Sequence, residues 1–234
     1  MRRYVPCLGW CGLVVAALVC AAVVAAQEGG FVSLFDGKNL DAWKIPEGDN
    51  GHWKIVEGVI DYDGKSEAQG EKSLWTKESF RNFVLKVDWR FTREPVKMQR
   101  AVILPSGDQD GNKTEEVLDA GDSGIYLRGT SVAQINIWCW PVGSGEVWGY
   151  RTDGNQPAEV RRACTPLVRA DNPPGQWNTF EVTMRGDRLT VKLNGKLVID
   201  NAQLPGVPAE GAIALQHHGD PIQFRNIQIK KLPD

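Results

Sequence analysis

Trp177–Asp200 reads WNTFEVTMRGDRLTVKLNGKLVID. Phe180, Val182 and Met184 alternate with polar neighbours, Gly186-Asp187 interrupts, and Leu189, Val191 and Leu193 resume the alternation. Side chains alternate faces along a strand, so each run describes a strand with one apolar face. Asn194-Gly195 then separates Leu193 from Leu197 and Ile199. Asn-Gly is the favoured two-residue hairpin turn because both positions require positive φ. The segment predicts a strand, a turn and a hairpin, all with their apolar residues on one side.

The same grammar extends outward. Phe83, Leu85, Val87, Trp89 and Phe91 alternate with Val84, Lys86, Asp88 and Arg90, whose side is expected to face solvent by default, or else the cleft formed by Asp122–Tyr150. Trp53–Val56, Glu57-Gly58 and Val59–Tyr62 form a second hairpin pattern. Phe31–Leu40 ends around an Asp36-Gly37 turn, Leu74–Thr76 is a short strand candidate, and Gly211–His218 and Ile222–Lys230 close the chain. Thr92–Gly121 and Arg151–Gln176 are polar and turn-rich and read as long connections, the first with an apolar island at Ala101–Leu104. Glu115, Glu116 and Asp119 in the first connection read as solvated, since their spacing fits no calcium loop. There is no internal repeat and no amphipathic helix beyond a turn or two. Many short strands punctuated by Gly and Pro predict an all-β sandwich or jelly roll of antiparallel sheets.

Residues 1–26 stand outside this pattern. Arg2 and Arg3 precede the apolar run Leu13–Val24, and Val24-Ala25-Ala26 offers small residues for cleavage. That is the layout of a secretory signal peptide, and the run is short for a membrane span. Cys20 follows Val19, not the small residue a lipid-attachment site wants. The expected product is one β-sandwich domain, 27–234, secreted or periplasmic, with no membrane span once the signal is cut. Without Arg2 and Arg3 the chain holds 25 basic against 29 acidic residues. No basic stripe exists, which argues against nucleic acid as a partner. Cys139 and Cys164 remain, either paired, as export would permit, or as separate buried thiols. Two cysteines without paired histidine spacing do not make a zinc site.

Candidate chemistry concentrates in Asp122–Tyr150, DSGIYLRGTSVAQINIWCWPVGSGEVWGY. In Ala133–Trp140, Ile135, Ile137 and Cys139 share one face, and Gln134, Asn136, Trp138 and Trp140 share the other. In Gly124–Arg128, Ile125 and Leu127 share a face, opposite Tyr126 and Arg128. One face is core. The other sets aromatic plates beside amides and a guanidinium, a combination that suits a sugar: rings stack on its C–H side and polar groups bond its hydroxyls. The plainer alternative is tryptophans bonded to their neighbours. In GAIALQHHG (Gly211–Gly219), Ile213 and Leu215 face the core, while Ala212, Ala214, Gln216 and His218 fall opposite and offer a second arm. His217 has the wrong parity and reads as structural; His218 could equally cap the turn at Gly219.

Five stretches carry a family resemblance: FVSLFDGKNLDAW (Phe31–Trp43), GHWKIVEGVI (Gly51–Ile60), DSGIYLRG (Asp122–Gly129), PGQWNTFEVTMRGDRLTVKLNGKLV (Pro174–Val198) and GAIALQHHGDPIQFRNIQIKKL (Gly211–Leu232). In this order they resemble the 3-keto-disaccharide hydrolase domain family, described also as 3-keto-glucoside 1,2-lyase and 3-keto-2-hydroxy-glucal hydratase. The resemblance implies a concanavalin-like jelly roll holding a 3-keto-glycoside over one sheet. It also implies a reaction. A ketone at C3 acidifies the C2 hydrogen, a base removes it, the aglycone leaves C1, and water adds back. Such a site needs a base, an acid at the leaving oxygen, and donors or a cation on the enolate oxygen. No redox cofactor enters this step; a divalent cation at the rim is compatible with the fold, although no ligand set is visible in the sequence.

Roles follow residue by residue. Glu146 or Asp122 is expected as base or acid, with His218 as the complementary proton carrier. Arg128 would orient hydroxyls or stabilise the enolate, Gln134, Asn136 and Gln216 would bond the sugar, and Tyr126, Trp138, Trp140 and Trp148 would line or stack on it. The chain departs from the resemblance here. Asp122 stands where many members carry Asn, Asn136-Ile137-Trp138 replaces a stretch that commonly holds an acid, and Ser144–Trp148 brings in Glu146. A non-catalytic sugar-binding module of the same fold is therefore the competing reading, and an adhesion or scaffold domain a third.

Overall fold

A computed structural model of the chain describes Met1 and residues 30–234. The expected signal peptide lies outside the described residues apart from Met1. The strands in chain order begin with β1 (Val32–Ser33), β2 (Trp43–Lys44), β3 (Trp53–Val56), β4 (Val59–Tyr62), β5 (Leu74–Thr76) and β6 (Phe83–Phe91). Next come β7 (Val96–Ile103), β8 (Gln109–Asp119), β9 (Asp122–Leu127) and β10 (Thr130–Trp138). Two short helices, α1 (Trp148–Thr152) and α2 (Ala158–Ala163), lead to β11 (Asn178–Arg185), β12 (Arg188–Leu193), β13 (Lys196–Gln203), β14 (Ala214–Leu215) and β15 (Ile222–Lys231).

The fold is a jelly-roll sandwich of antiparallel sheets, as the strand pattern predicts. The larger sheet runs β13-β12-β11-β6-β15-β4-β3, with β1 joined to β15. The smaller runs β10-β9-β14-β5-β2. Phe180, Val182 and Met184 of β11, Leu85 and Val87 of β6, and Phe224 of β15 are buried. They join one core with Ile125 and Leu127 of β9, Ile135 and Ile137 of β10, and Leu215 of β14. Each such side chain contributes about 1.5–3 kcal/mol of burial. The outward side of β6 carries polar contacts: Thr179 Oγ1 donates to Asp88 at 2.7 Å, and Arg90 donates to Gln223 at 2.9 Å.

Two expectations change, and one open choice, that of the two cysteines, is decided. Thr92–Gly121 is not a loop but a ribbon, β7 paired with β8, separate from both sheets. Its residues are mostly exposed on both faces, so no apolar alternation marks it in the sequence. Asp119 is not solvated; it is buried and accepts from Arg93 at 3.1 Å and from Arg100 Nε at 2.8 Å. Cys139 and Cys164 are separate buried thiols.

Arg128 also stands elsewhere than strand parity predicts. β9 ends at Leu127, and Arg128-Gly129 make the hairpin turn to Thr130 with φ of 52° and 74°. A positive φ takes the residue out of the pleat and swings its side chain away from the face shared by Tyr126. The guanidinium is buried and latches three segments. It donates to the carbonyl of Arg81 at 2.9 Å, and to the carbonyls of Gly186 and Pro208 at 2.6 and 3.0 Å. Gly211 packs so tightly on this turn that a Cβ there would lie 2.2 Å from the Arg128 carbonyl carbon.

Removing a buried donor that satisfies several carbonyls costs about 1–3 kcal/mol per group left unpaired. Arg128→Ala should therefore lower the unfolding free energy by about 3 kcal/mol or more, with a drop in Tm of roughly 6–12 °C. Arg128→Lys should recover only part of that, because an ammonium lacks the planar fork. Urea and thermal unfolding check both; an Ala variant within about 0.5 kcal/mol of the parent would show an ordinary surface arginine.

Candidate functional site

The site is built on β9 and its two neighbours. Register pairs Gln134 with Tyr126, Asn136 with Gly124, and Trp138 with Asp122 across β10 and β9. On the other side Ala214 pairs with Tyr126, and the Gln216 N–H donates to the Gly124 carbonyl at 2.9 Å. Paired residues in an antiparallel ladder share a face. Asp122, Tyr126, Gln134, Asn136 and Gln216 consequently meet over the outer face of the smaller sheet. A cavity of about 290 Å³ lies there, floored by these five and walled by Ser131, Trp148 and His218. Its volume is at the lower edge of small-molecule sites. Gly124 sits under the amides: a Cβ would come within 2.7 Å of Gln134 Nε2 and 2.9 Å of Gln216 Oε1.

The amides are bonded to one another. Gln134 Nε2 donates to Asn136 Oδ1 at 2.8 Å and to Gln216 Oε1 at 3.0 Å. Asn136 Nδ2 donates to Glu146 Oε1 at 3.1 Å. Glu146 is fully buried, and Arg151 is its counterion, with Nε on Oε2 and Nη2 on Oε1. The segment holding Glu146 is fixed to the edge of β10, since Asn136 N–H donates to the Glu146 carbonyl at 2.9 Å and Gly145 N–H to the Asn136 carbonyl at 2.8 Å. Burial pushes the Glu146 carboxyl up to about 7, against the pull of Arg151 and Asn136. Those two donate to both of its oxygens, so the geometry is built around the acceptor-only carboxylate.

Asp122 differs. It is half-buried and lines the cavity beside His218. Its backbone N–H donates to Asp220 Oδ2 at 2.9 Å, while no side chain among the described residues donates to its carboxylate. Burial raises its carboxyl to about 6; His218 opposes this, and Asp220 and Asp119 reinforce it. A carboxyl poised near neutrality and open to a cavity has the properties of a proton carrier. Trp148, the first residue of α1, is 46% exposed at the rim. Tyr126 stands 5.8 Å from the Trp75 ring. Among the described residues no group of three or more His, Cys, Asp or Glu is arranged to hold a metal ion.

Residues 30–230 match the family model described as the 3-keto-alpha-glucoside-1,2-lyase-like domain. The chain belongs to this family. A 3-keto-disaccharide hydrolase from Bacteroides thetaiotaomicron is 22% identical over 87% of this chain and 79% of its own length. Two crystal structures of candidate glycosyl hydrolases from Parabacteroides distasonis superpose on the fold. One has a TM-score of 0.57 at 22% identity, covering 87% of this chain and 84% of its own. The other has a TM-score of 0.58 at 20% identity, covering 87% and 95%.

Within this family frame, the sequence-derived candidates separate into groups. Asp122, Tyr126, Gln134, Asn136, Trp148, Gln216 and His218 all line one cavity. Glu146 lies behind Asn136, enclosed and paired, and is not among the lining residues. Trp138 and Trp140 do not line it either. They stack on each other at 4.2 Å, and the Trp138 indole donates to the Gly143 carbonyl at 2.7 Å. The stack is flanked by Arg151, 5.9 Å from the Trp138 ring, and by Arg100 of the ribbon, 5.7 Å from the Trp140 ring. Arg128 is the turn latch described above. His217 contacts the Tyr62 hydroxyl, in keeping with its parity. Strand alternation points to neither Ser131 nor Arg151. Ser131 enters through a register shift between Thr130 and Gln134, which no alternation reveals. Arg151 is the one charge near Glu146 in sequence that could have neutralised it on burial.

The Asp122 shift has a stability signature. Its folded value, about 6, lies above the usual carboxylate value, so the contribution is present below about pH 4 and is lost as pH rises through about 6. Asp122→Asn should lack this component: relative to the parent, the variant should gain stability between about pH 4 and 7. Denaturant unfolding across that range measures the difference. Parallel curves would mean that the Asp122 carboxyl is unperturbed.

Proposed function

We propose that the protein cleaves 3-keto-glycosides by proton abstraction, elimination and rehydration. The observation that carries this reading is the Asp122 carboxyl, raised towards neutrality and open to the same cavity as His218. In the proposal, Asp122 takes the C2 proton. The C–H electron pair forms the C2–C3 double bond, and the carbonyl oxygen becomes an enolate. Collapse of the enolate re-forms the ketone, places the double bond between C1 and C2, and breaks the bond from C1 to the aglycone oxygen. His218 supplies the proton that leaves with the aglycone. Water then adds at C1 and a proton returns to C2, so the net reaction is hydrolysis. Gln134, Asn136 and Gln216 bond the sugar, and Tyr126 and Trp148 supply apolar contact to its ring. Export of the chain through residues 1–26 belongs to the same proposal.

The family membership and the 3-keto-disaccharide hydrolase relative support the substrate class. A second reading, a sugar-binding module without turnover, draws on one observation: Glu146 is enclosed by Arg151 and Asn136, leaving Asp122 as the carboxylate that lines the cavity.

Incubating the protein with 3-keto-glycosides of several aglycones, and following release by mass spectrometry, separates the two. Turnover is expected, with kcat/KM rising through about pH 6 as Asp122 ionises. Asp122→Asn and His218→Ala should each lower kcat by about 10²–10⁴-fold. Trp148→Ala should mainly raise KM, by about 2–10-fold. Saturable binding with no product from the intact protein would establish the module instead.

A further inference from the structure

The orientation of the cavity amides is not free. A carboxylate accepts and never donates, so the group facing Glu146 Oε1 must be the Asn136 NH₂. That leaves Asn136 Oδ1 turned to Gln134, which must answer with its own NH₂, at 2.8 Å. The second hydrogen of that NH₂ goes to Gln216 Oε1 at 3.0 Å. Three amides are thereby set in sequence from one buried carboxylate, which is itself held by Arg151. What remains over the cavity has fixed polarity. Among the described residues nothing donates to Gln134 Oε1, although Gln134 is 6% exposed. The NH₂ of Gln216 is turned to the Tyr126 hydroxyl, which takes one of its two hydrogens and leaves the other for the cavity.

We infer that the buried Arg151–Glu146 pair is a positioning device that orients the Asn136, Gln134 and Gln216 amides, so that the cavity offers an acceptor at Gln134 Oε1 beside a donor at Gln216 Nε2. An acceptor beside a donor is the complement of a hydroxyl next to a ketone. This last step rests on the function proposed above: a 3-keto sugar carries such a pair on neighbouring carbons, whereas the unoxidised sugar has a second hydroxyl there, which also accepts from Gln216 Nε2 but brings a hydrogen that this acceptor–donor pair does not take up. A donor fixed at the ketone oxygen also meets negative charge as the enolate forms. Glu146 thus acts through the amides and exchanges no proton with substrate, in contrast to the acid–base role its residue type suggests.

The amide chain is tested without any ligand. In ¹⁵N-resolved NMR the Gln134 side-chain NH₂ should exchange slowly with solvent, and Glu146→Gln should accelerate it by on the order of 10-fold or more, because a Gln can present either end of its amide. Asn136→Leu, which cuts the chain but leaves Arg151 and Glu146 paired, should do the same if the first variant folds poorly. Unchanged Gln134 exchange in a folded variant overturns the inference.

Recognition is tested by calorimetry in the Asp122→Asn background, where turnover is slowed by about 10²–10⁴-fold. A methyl 3-keto-glucoside should bind on the order of 10-fold tighter than the methyl glucoside, and adding Glu146→Gln should remove most of that preference. A preference that survives the second change overturns the recognition step. In the otherwise intact enzyme, Glu146→Gln should lower kcat by about 10²-fold and raise KM by no more than the order of 10-fold that the lost binding preference accounts for. It should keep the rise in activity through about pH 6, which belongs to Asp122. Loss of that rise would make Glu146 the proton carrier and overturn its positioning role. Absence of turnover in the parent protein would count against the proposed function alone, since the NMR result stands without it.

Discussion

β9 is hydrogen-bonded along both edges, to β10 on one side and to β14 on the other, and its register decides which side chains share the cavity. Side chains alternate with a period of two, so a slip of one residue would turn Ile125 and Leu127 out of the core and bury Asp122 and Tyr126 in their place. The core enforces the register from below. Ile125 lies opposite Ile135 in the ladder, and both are fully buried. Gly124 enforces it from above, because no side chain fits beneath the Gln134 and Gln216 amides. The Arg128-Gly129 turn fixes the end of the β9–β10 hairpin, and the Arg128 guanidinium ties that turn to the segments at Arg81, Gly186 and Pro208.

On this frame two carboxylates have different environments and therefore different capacities. Both are raised by burial. Glu146 is surrounded by donors that hold it as an acceptor, and it orients what lies next to it. Asp122 has carboxylate neighbours at 119 and 220 and an opening to the cavity, which is what a group needs if it is to gain and lose a proton. Separating such environments is a general way to obtain distinct roles from one residue type. The ribbon β7–β8 belongs to the same structure. Its Arg100 closes the stack of Trp140 and Trp138, whose far side meets Arg151, and Arg151 also donates to the Gly107 carbonyl between β7 and β8 at 3.1 Å.

Much of this was legible in the sequence, where burial on one face forces alternation. The hairpin around Asn194-Gly195, the strand Phe83–Phe91 and the shared face of Gln134, Asn136, Gln216 and His218 all follow from period-two reasoning. The misses have a common physical origin. Alternation holds only while the backbone stays extended, and at Arg128 a φ of 52° ends it. It is invisible where neither face is buried, as in β7 and β8. It also assigns a face without saying what covers that face: Trp138 and Trp140 are taken up by each other and by two arginines, not left for a ligand. Glu146 and Arg151 form a pair across a strand-to-helix junction, where neither helical nor strand spacing predicts contact.

The central claim is that Asp122 removes the hydrogen at C2 of a 3-keto-glycoside. Running the reaction in D₂O and recovering the sugar product reads that step directly. The account predicts deuterium at C2 of the product formed by the parent protein, and product formed about 10²–10⁴-fold more slowly with Asp122→Asn. Product that retains its original hydrogen at C2, with deuterium absent from that carbon, would contradict elimination and require direct displacement at C1.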